Sequence, residues 1–255
     1  METSPSWESM YQDEKYSWFW PPSYDPEASP DELEAVVAHM QAPPGSRWLD
    51  LACGQGWLTI PLARRGYQVT GFDLSVALLS RAESAARAQS VTVEWVCGDM
   101  CSLPGEWTDS FESVSLALSE FGCFQDEPDN QKVLDEVGRV LKAEGRFLLD
   151  LVANRDGLVQ GGGTHEWLEG DGFLVVEAGS LDLVSGIHTR VYHWYYQGQR
   201  YEAKWQIHAY TPPEVARMLE KAGFKVLAVY SNLKGDRLAR DSRGMTFVAQ
   251  KKARE

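Results

Sequence analysis

From Arg47 onward the apolar residues change period repeatedly along the chain. Short apolar runs of strand length alternate with stretches in which apolar residues recur at helical spacing. The pattern predicts strands at Arg47–Leu51, Gln68–Asp73, Val91–Cys97, Phe111–Leu118 and Arg146–Val152. Between them it predicts helices at Gly56–Arg65, Ser75–Arg87 and Asn130–Lys142. Such alternation signals an α/β fold, a mostly parallel sheet with helices on both faces. Upstream, Ser29-Pro30-Asp31-Glu32 reads as a helix start, with Ser29 as cap and Pro30 in the first turn; the helix runs to about Gln41 and is broken by Pro43-Pro44-Gly45.

After Ala153 the rhythm changes. Gly161-Gly162-Gly163 marks a loop, and Phe173–Glu177, Ile187–Tyr196 and Tyr201–Tyr210 alternate as strands with no helical pattern between them. They are therefore expected to be antiparallel. Thr211, followed by Pro212-Pro213-Glu214, caps a helix that ends before Gly223, and Phe224–Tyr230 and Met245–Gln250 close the chain as strands. The expected organisation is an N-terminal aromatic segment and helix (1–45), a core (46–153), an antiparallel β insertion (154–210) and a C-terminal return to the core (211–255).

The chain has 255 residues and a formal charge of -13. Nucleic acid is polyanionic, so the acidic balance argues against such a partner. Residues 1–45 hold nine acids against Lys15 alone, a field that suits a solvated face or a cationic substrate. No apolar run reaches the ~18–20 residues of a membrane span, and Met1–Tyr11 lacks the features of a signal peptide, so a cytoplasmic protein is expected. Cys53, Cys97, Cys101 and Cys123 read as buried reduced thiols. Cys97 and Cys101 lack the second ligand pair of a structural zinc site, and no metal is expected.

The candidate chemistry lies at three strand ends. Leu49-Asp50-Leu51-Ala52-Cys53-Gly54-Gln55-Gly56 turns the first strand into a helix. Glycines there let a ligand approach the backbone, and a helix N-terminus offers free N–H groups. Asp73 ends the second strand, 17 residues after Gly56, where an acid can accept from both hydroxyls of a ribose. Asp99 follows the third strand in Gly98-Asp99-Met100; it can accept from an adenine amino group while Met100 lies against the ring. The same ribose geometry serves NAD, but Thr59 stands where the dinucleotide fingerprint has its third glycine, which disfavours a pyrophosphate.

Residues 47–152 resemble the core of the class I S-adenosylmethionine (SAM)-dependent methyltransferases. Asp50 to Gly56 is similar to their first motif, with Ala52 where a glycine is common; Asp73 matches the ribose-binding acid and Gly98-Asp99-Met100 the adenine motif. Leu116–Phe124, Glu136–Asp150, Tyr210–Glu214 and Ala222-Gly223-Phe224 extend the resemblance. It implies a Rossmann-like seven-stranded sheet of order 3-2-1-4-5-7-6, its last strand antiparallel. It also implies SAM as cofactor, held by Asp50, Ala52, Gly54, Gly56, Asp73, Leu74, Asp99, Met100, Leu118 and Ser119. The β insertion resembles that of small-molecule N-methyltransferases, such as those acting on amino sugars.

The acceptor is then expected above the fourth strand, beside Ser119–Phe124, with Glu120 as the candidate proton-accepting or amine-holding group. Tyr11, Tyr16 and Trp20 are candidates for an aromatic lid, and Phe124, His165 and Trp194 for acceptor contacts. His193 and His208 are further candidate bases, Trp205 a candidate wall, and Arg190, Arg200, Arg217 and Arg243 candidate anion holders. A small-molecule acceptor is the leading expectation, with a monomer or homodimer. RNA or protein methylation, a non-catalytic SAM-binding protein and an NAD-dependent oxidoreductase are the rivals.

Overall fold

A computed structural model describes residues 30–253 apart from 120, 125–126, 162–164, 171–172 and 197–198. Tyr11, Tyr16, Trp20, Ser29 and Glu120 thus lie outside the described residues.

The first described helix is α1 (Pro30–Met40). Six elements then alternate: β1 (Arg47–Leu51), α2 (Thr59–Arg64), β2 (Gln68–Asp73), α3 (Val76–Ala88), β3 (Glu94–Cys97) and β4 (Phe111–Ser119). They are followed by α4 (Glu127–Val140), β5 (Leu141–Leu151) and α5 (Arg155–Gly161). Four strands come next, β6 (His165–Gly170), β7 (Phe173–Leu181), β8 (Ile187–Tyr196) and β9 (Gln199–His208). The chain closes with α6 (Pro212–Lys221), β10 (Phe224–Tyr230) and β11 (Met245–Lys251).

Seven strands form one sheet in the order β3-β2-β1-β4-β5-β11-β10. The pairs from β3 through β5 are parallel, and β11 runs antiparallel to both β5 and β10. Numbered within the sheet, this is the order 3-2-1-4-5-7-6 implied by the resemblance. Both faces are covered, so adjacent residues of one strand are buried on opposite sides. Leu49, Val114, Phe147 and Phe247 pack with Val133 and Val137 of α4 and Val215 and Leu219 of α6. Trp48, Val69 and Leu148 pack on the other side with Val36 and Met40 of α1, Leu58 just before α2 and Leu62 within it.

The predicted boundaries differ where backbone geometry intervenes. Helix α2 begins at Thr59 rather than Gly56, because Gly54 and Gly56 take φ of 54° and 82° and the chain is still turning there. β3 begins at Glu94 rather than Val91, since Ser90 at φ 57° and the Val91 N–H to Ala86 C=O bond wrap the end of α3. β5 opens at Leu141, but Glu144 at φ 63° interrupts it and the ladder with β4 resumes at Arg146, the predicted start.

The second sheet is four-stranded and fully antiparallel, in the order β6-β7-β8-β9. Strand β6 and helix α5 are additions to the sequence reading. α5 carries two glycines in seven residues and has no apolar stripe to betray it. β9 is tied to the tip of β4 by the His208 N–H, which donates to the Gly122 C=O over 2.9 Å. The Arg155 guanidinium pairs with Glu214, whose carboxylate also takes the Thr211 N–H in a capping box.

The thiols are not uniformly buried. Cys53 and Cys123 are buried and Cys101 is half-buried, whereas Cys97 is exposed because it ends the edge strand β3. Among the described residues no helix is long and apolar enough to cross a membrane.

Gly122 lies at φ 103°, and a Cβ there would come within 2.5 Å of the His208 carbonyl oxygen. Gly122→Ala is expected to cost about 1 kcal/mol for the backbone conformation alone and more for the displaced strand. Urea unfolding checks this; wild-type stability in the variant would show that β9 is not seated on β4.

Candidate active site

The carboxyl ends of β1, β2, β3 and β4 lie side by side, as the order of the parallel strands requires. Ala52, Gly54 and Gly56 all have positive φ, so the turn after β1 coils tightly before α2. Its amides are organised by neighbours: the Cys53 N–H donates to the Phe72 C=O, and the Gly54 N–H donates to Asp73 Oδ2 over 2.8 Å. A Cβ on Gly56 would lie 2.9 Å from the Trp95 ring, so β3 closes over the turn from the side. Sequence reading did not single out Trp95, whose aromatic side chain in a short strand carries no special signal.

Asp73 ties the turn to β2. Its second oxygen, Oδ1, accepts the Ser75 N–H over 2.8 Å, and Ser75 in turn caps α3 by accepting from the Leu78 N–H. A carboxylate has about four lone-pair sites, so these two backbone bonds leave acceptor capacity for hydroxyl groups. Asp73 is 8% exposed, and burial raises its carboxyl above the usual range while the Ser75 and Gly54 amides pull it down.

The Gly98 N–H donates to the Asp73 C=O over 3.1 Å, which brings the Gly98-Asp99-Met100 stretch beside Asp73. Asp99 is exposed, with Oδ1 accepting the Cys101 N–H, and Met100 packs at the edge of the main core. Leu74 is half-buried, next to Asp73. Thus Gly54, Gly56, Asp73, Leu74, Asp99 and Met100 share one edge, and Leu118 and Ser119 end the neighbouring β4 on that edge.

Asp50 has a different environment. It is buried, and its carboxylate accepts from the Thr59 hydroxyl over 2.6 Å and the Ser115 hydroxyl over 2.7 Å; Ser115 itself accepts from the Trp48 indole N–H. Thr59, in the place of the dinucleotide glycine, is therefore a buried donor to β1. Burial, partly offset by these hydrogen bonds, pushes the Asp50 carboxyl up to about 6. Asp150, in the matching Leu-Asp-Leu end of β5, is also pushed up by burial to about 6, and accepts from the Leu118 N–H and the Thr246 hydroxyl. A lone polar residue in the apolar run Phe147–Leu151 is the signal that points to Asp150; Ser115, one of several polar residues in β4, has no such signal.

Phe124 is buried in the main core, and the Asn130 side chain donates to its carbonyl. Phe121 lies 5.9 Å from Tyr210, whose ring stacks on His208. His165 and Trp194 sit in β6 and β8, and their side chains are outside the described residues. His193 lies against Arg200 and Glu202. Arg190 is held in a fork by Glu177 and lies over the Tyr192 ring, with Trp205 against the same ring.

Residues 49–145 match the family model described as a methyltransferase domain. With the fold and the edge just described, the chain is similar to a methyltransferase domain over this stretch and shares the fold of SAM-dependent methyltransferases of known structure. Two curated relatives carry the sequence comparison. The putative methyltransferase YqeM of Bacillus subtilis is 29% identical over 214 residues, 82% of this chain and 85% of that one. The 2-phytyl-1,4-naphtoquinone methyltransferase of Synechococcus elongatus is 40% identical over 123 residues, 46% of this chain and 50% of that one. The chain spans about half the length or less of several curated relatives it matches, from 38% to 50%. Among solved structures, SAM-bound CalS10, an amino pentose methyltransferase of Micromonospora echinaspora, shares the fold, with a TM-score of 0.69 at 20% identity, covering 93% of this chain and 95% of that one.

Because its folded carboxyl titrates near 6, Asp50 binds its proton more tightly folded than unfolded. It favours folding below the unfolded value near 4, and that contribution is lost as pH rises through about 6. The stability of wild type relative to Asp50→Asn should therefore fall by about 2 kcal/mol between pH 4 and pH 6.5 and stay level above. Urea unfolding across that range checks this; a difference independent of pH would place the titration elsewhere.

Proposed function

We propose that this protein transfers the methyl group of SAM to a small-molecule acceptor at nitrogen or oxygen. The observation that carries this reading is the convergence of the glycine turn, Asp73 and Asp99 on one sheet edge, joined by the Gly54 N–H to Asp73 and Gly98 N–H to Asp73 bonds. These groups fit an adenosyl ligand: an acid with spare lone pairs for the ribose, an exposed acid for the adenine amine, and a turn that a ligand backbone can approach. The small-molecule reading is supported by the quinone and amino pentose specificities named for the two relatives. The net charge of -13 argues against a polyanionic acceptor.

SAM supplies an activated methyl on a sulfonium. The chain's task is to align an acceptor with that methyl and exclude water. In this assignment Asp73 and Leu74 hold the ribose, Asp99 and Met100 the adenine, and Gly54, Gly56, Leu118 and Ser119 the methionine end. Glu120, directly after β4, orients the acceptor or takes its proton. Tyr11, Tyr16, Trp20, Phe124, His165 and Trp194 complete the proposed acceptor side, with Phe124 acting from within the core.

Calorimetry tests the cofactor assignment. Asp73→Ala is expected to weaken SAM binding roughly 10- to 150-fold, the loss of charge-assisted hydrogen bonds of about 1.5–3 kcal/mol. Unchanged affinity would remove Asp73 from the site. For Glu120→Gln, kcat is expected to drop about 100-fold or more with SAM affinity intact; normal turnover of the acceptor would rule its role out.

A further inference from the structure

The parallel strands stand in the order β3-β2-β1-β4, so a ligand whose adenosine rests on Asp99 and Asp73 and crosses the glycine turn of β1 arrives at the tip of β4. That tip is irregular. Leu116 pairs with Leu149 and Ser119 with Leu151, so three steps along β4 match two along β5. One residue is extra, and the strand bulges. Leu118, inside the bulge, has φ 48°, a conformation that a branched side chain rarely takes.

A bulge removes an amide from its ladder, and a buried amide needs another acceptor. Asp150 supplies it. It stands on β5 between the two residues that flank the bulge, and its Oδ2 accepts the Leu118 N–H over 3.1 Å. Its Oδ1 accepts the hydroxyl of Thr246, its direct partner across β11. Asp150 is 5% exposed and Thr246 fully buried. An apolar residue would fill that space at lower desolvation cost, so the carboxylate's distinctive contribution is the shape of β4. Bulges cluster next to active sites because they re-aim the chain.

We propose that Asp150 is a positioning residue for the methyl donor: by holding the Leu118 bulge, it presents the β4 backbone to the methionine end of SAM. Asp150 does not itself touch the ligand. This inference rests on the cofactor reading above, and it divides the ligand into two parts that respond differently. The adenosine part depends on β2 and β3, which Asp150 does not reach. The amino acid part depends on β4.

The test measures binding of S-adenosylhomocysteine and of methylthioadenosine, which lacks the amino acid part, to wild type, Asp150→Ala and Asp150→Asn. In Asp150→Ala the homocysteine ligand should lose about tenfold or more in affinity. Methylthioadenosine should stay within about twofold of wild type. Asp150→Asn, whose side-chain oxygen can still accept the Leu118 N–H, should recover most of the loss. Equal losses for both ligands, or none for either, would overturn the proposal. Amide exchange in the wild type supplies a readout that needs no variant. The Leu118 amide should be slowed further by S-adenosylhomocysteine and not by methylthioadenosine; an identical response to both would also overturn it. Wild type that binds neither ligand would sink the cofactor reading itself, a result distinct from all of these.

Discussion

A carboxylate taken out of water must find donors, and three such groups hold the functional edge of this fold. Asp50, Asp73 and Asp150 end β1, β2 and β5, and each is at least nine-tenths buried. None is satisfied by its own strand alone. Asp50 takes hydroxyls from α2 and β4, Asp73 takes amides from the turn after β1 and from the start of α3, and Asp150 takes an amide from β4 and a hydroxyl from β11. Each acid therefore fixes the relative position of neighbouring elements. Leaving one of their donors or acceptors unpaired in the interior costs several kcal/mol at worst, which makes the arrangement close to all-or-none.

The same groups set the electrostatics of the edge. A sulfonium is a cation, and the strand ends that surround its expected path carry acids. Asp99, exposed and bonded through one oxygen, differs in kind from Asp73, which is nearly enclosed. The first can adapt to a ligand, while the second is already oriented by two amides. A pre-oriented acceptor loses little freedom when a hydroxyl arrives, so the Asp73 end is the better organised half of the edge.

Much of this was legible in the sequence because it obeys local rules. Alternating periods gave the parallel strands, Gly54 and Gly56 gave the turn, and Thr211 gave the cap of α6, which the structure completes as a box with Glu214. What was not legible depends on contacts far apart in the chain. Asp50 reads as a cofactor residue by its place in the motif, yet its partners are Thr59 and Ser115, the latter on another strand. Nothing in Leu148-Leu149-Asp150-Leu151 reveals that Leu118 will need an acceptor there. Helix α5 was invisible because its glycines suppress helical propensity, and it is held by tertiary bonds from Asn154 to the 242–243 turn. Glu120 and the aromatic N-terminus, the boldest readings on the acceptor side, remain proposals.

The chain leaves the main sheet after β5 and returns to it before α6 at almost the same point. Asn154 and Tyr210 bridge to each other, and the Arg155 N–H donates to the Tyr210 carbonyl. Everything between them is in effect a closed loop on a stem. Closing a longer loop adds only slowly to the entropic cost. The outer turns of the β6–β9 sheet can therefore be lengthened or shortened at little entropic cost, whereas the end of β9 that seats His208 on Gly122 is fixed. Such a plan separates a platform, the seven-stranded sheet, from an appended four-stranded cassette that enters and leaves it at one stem.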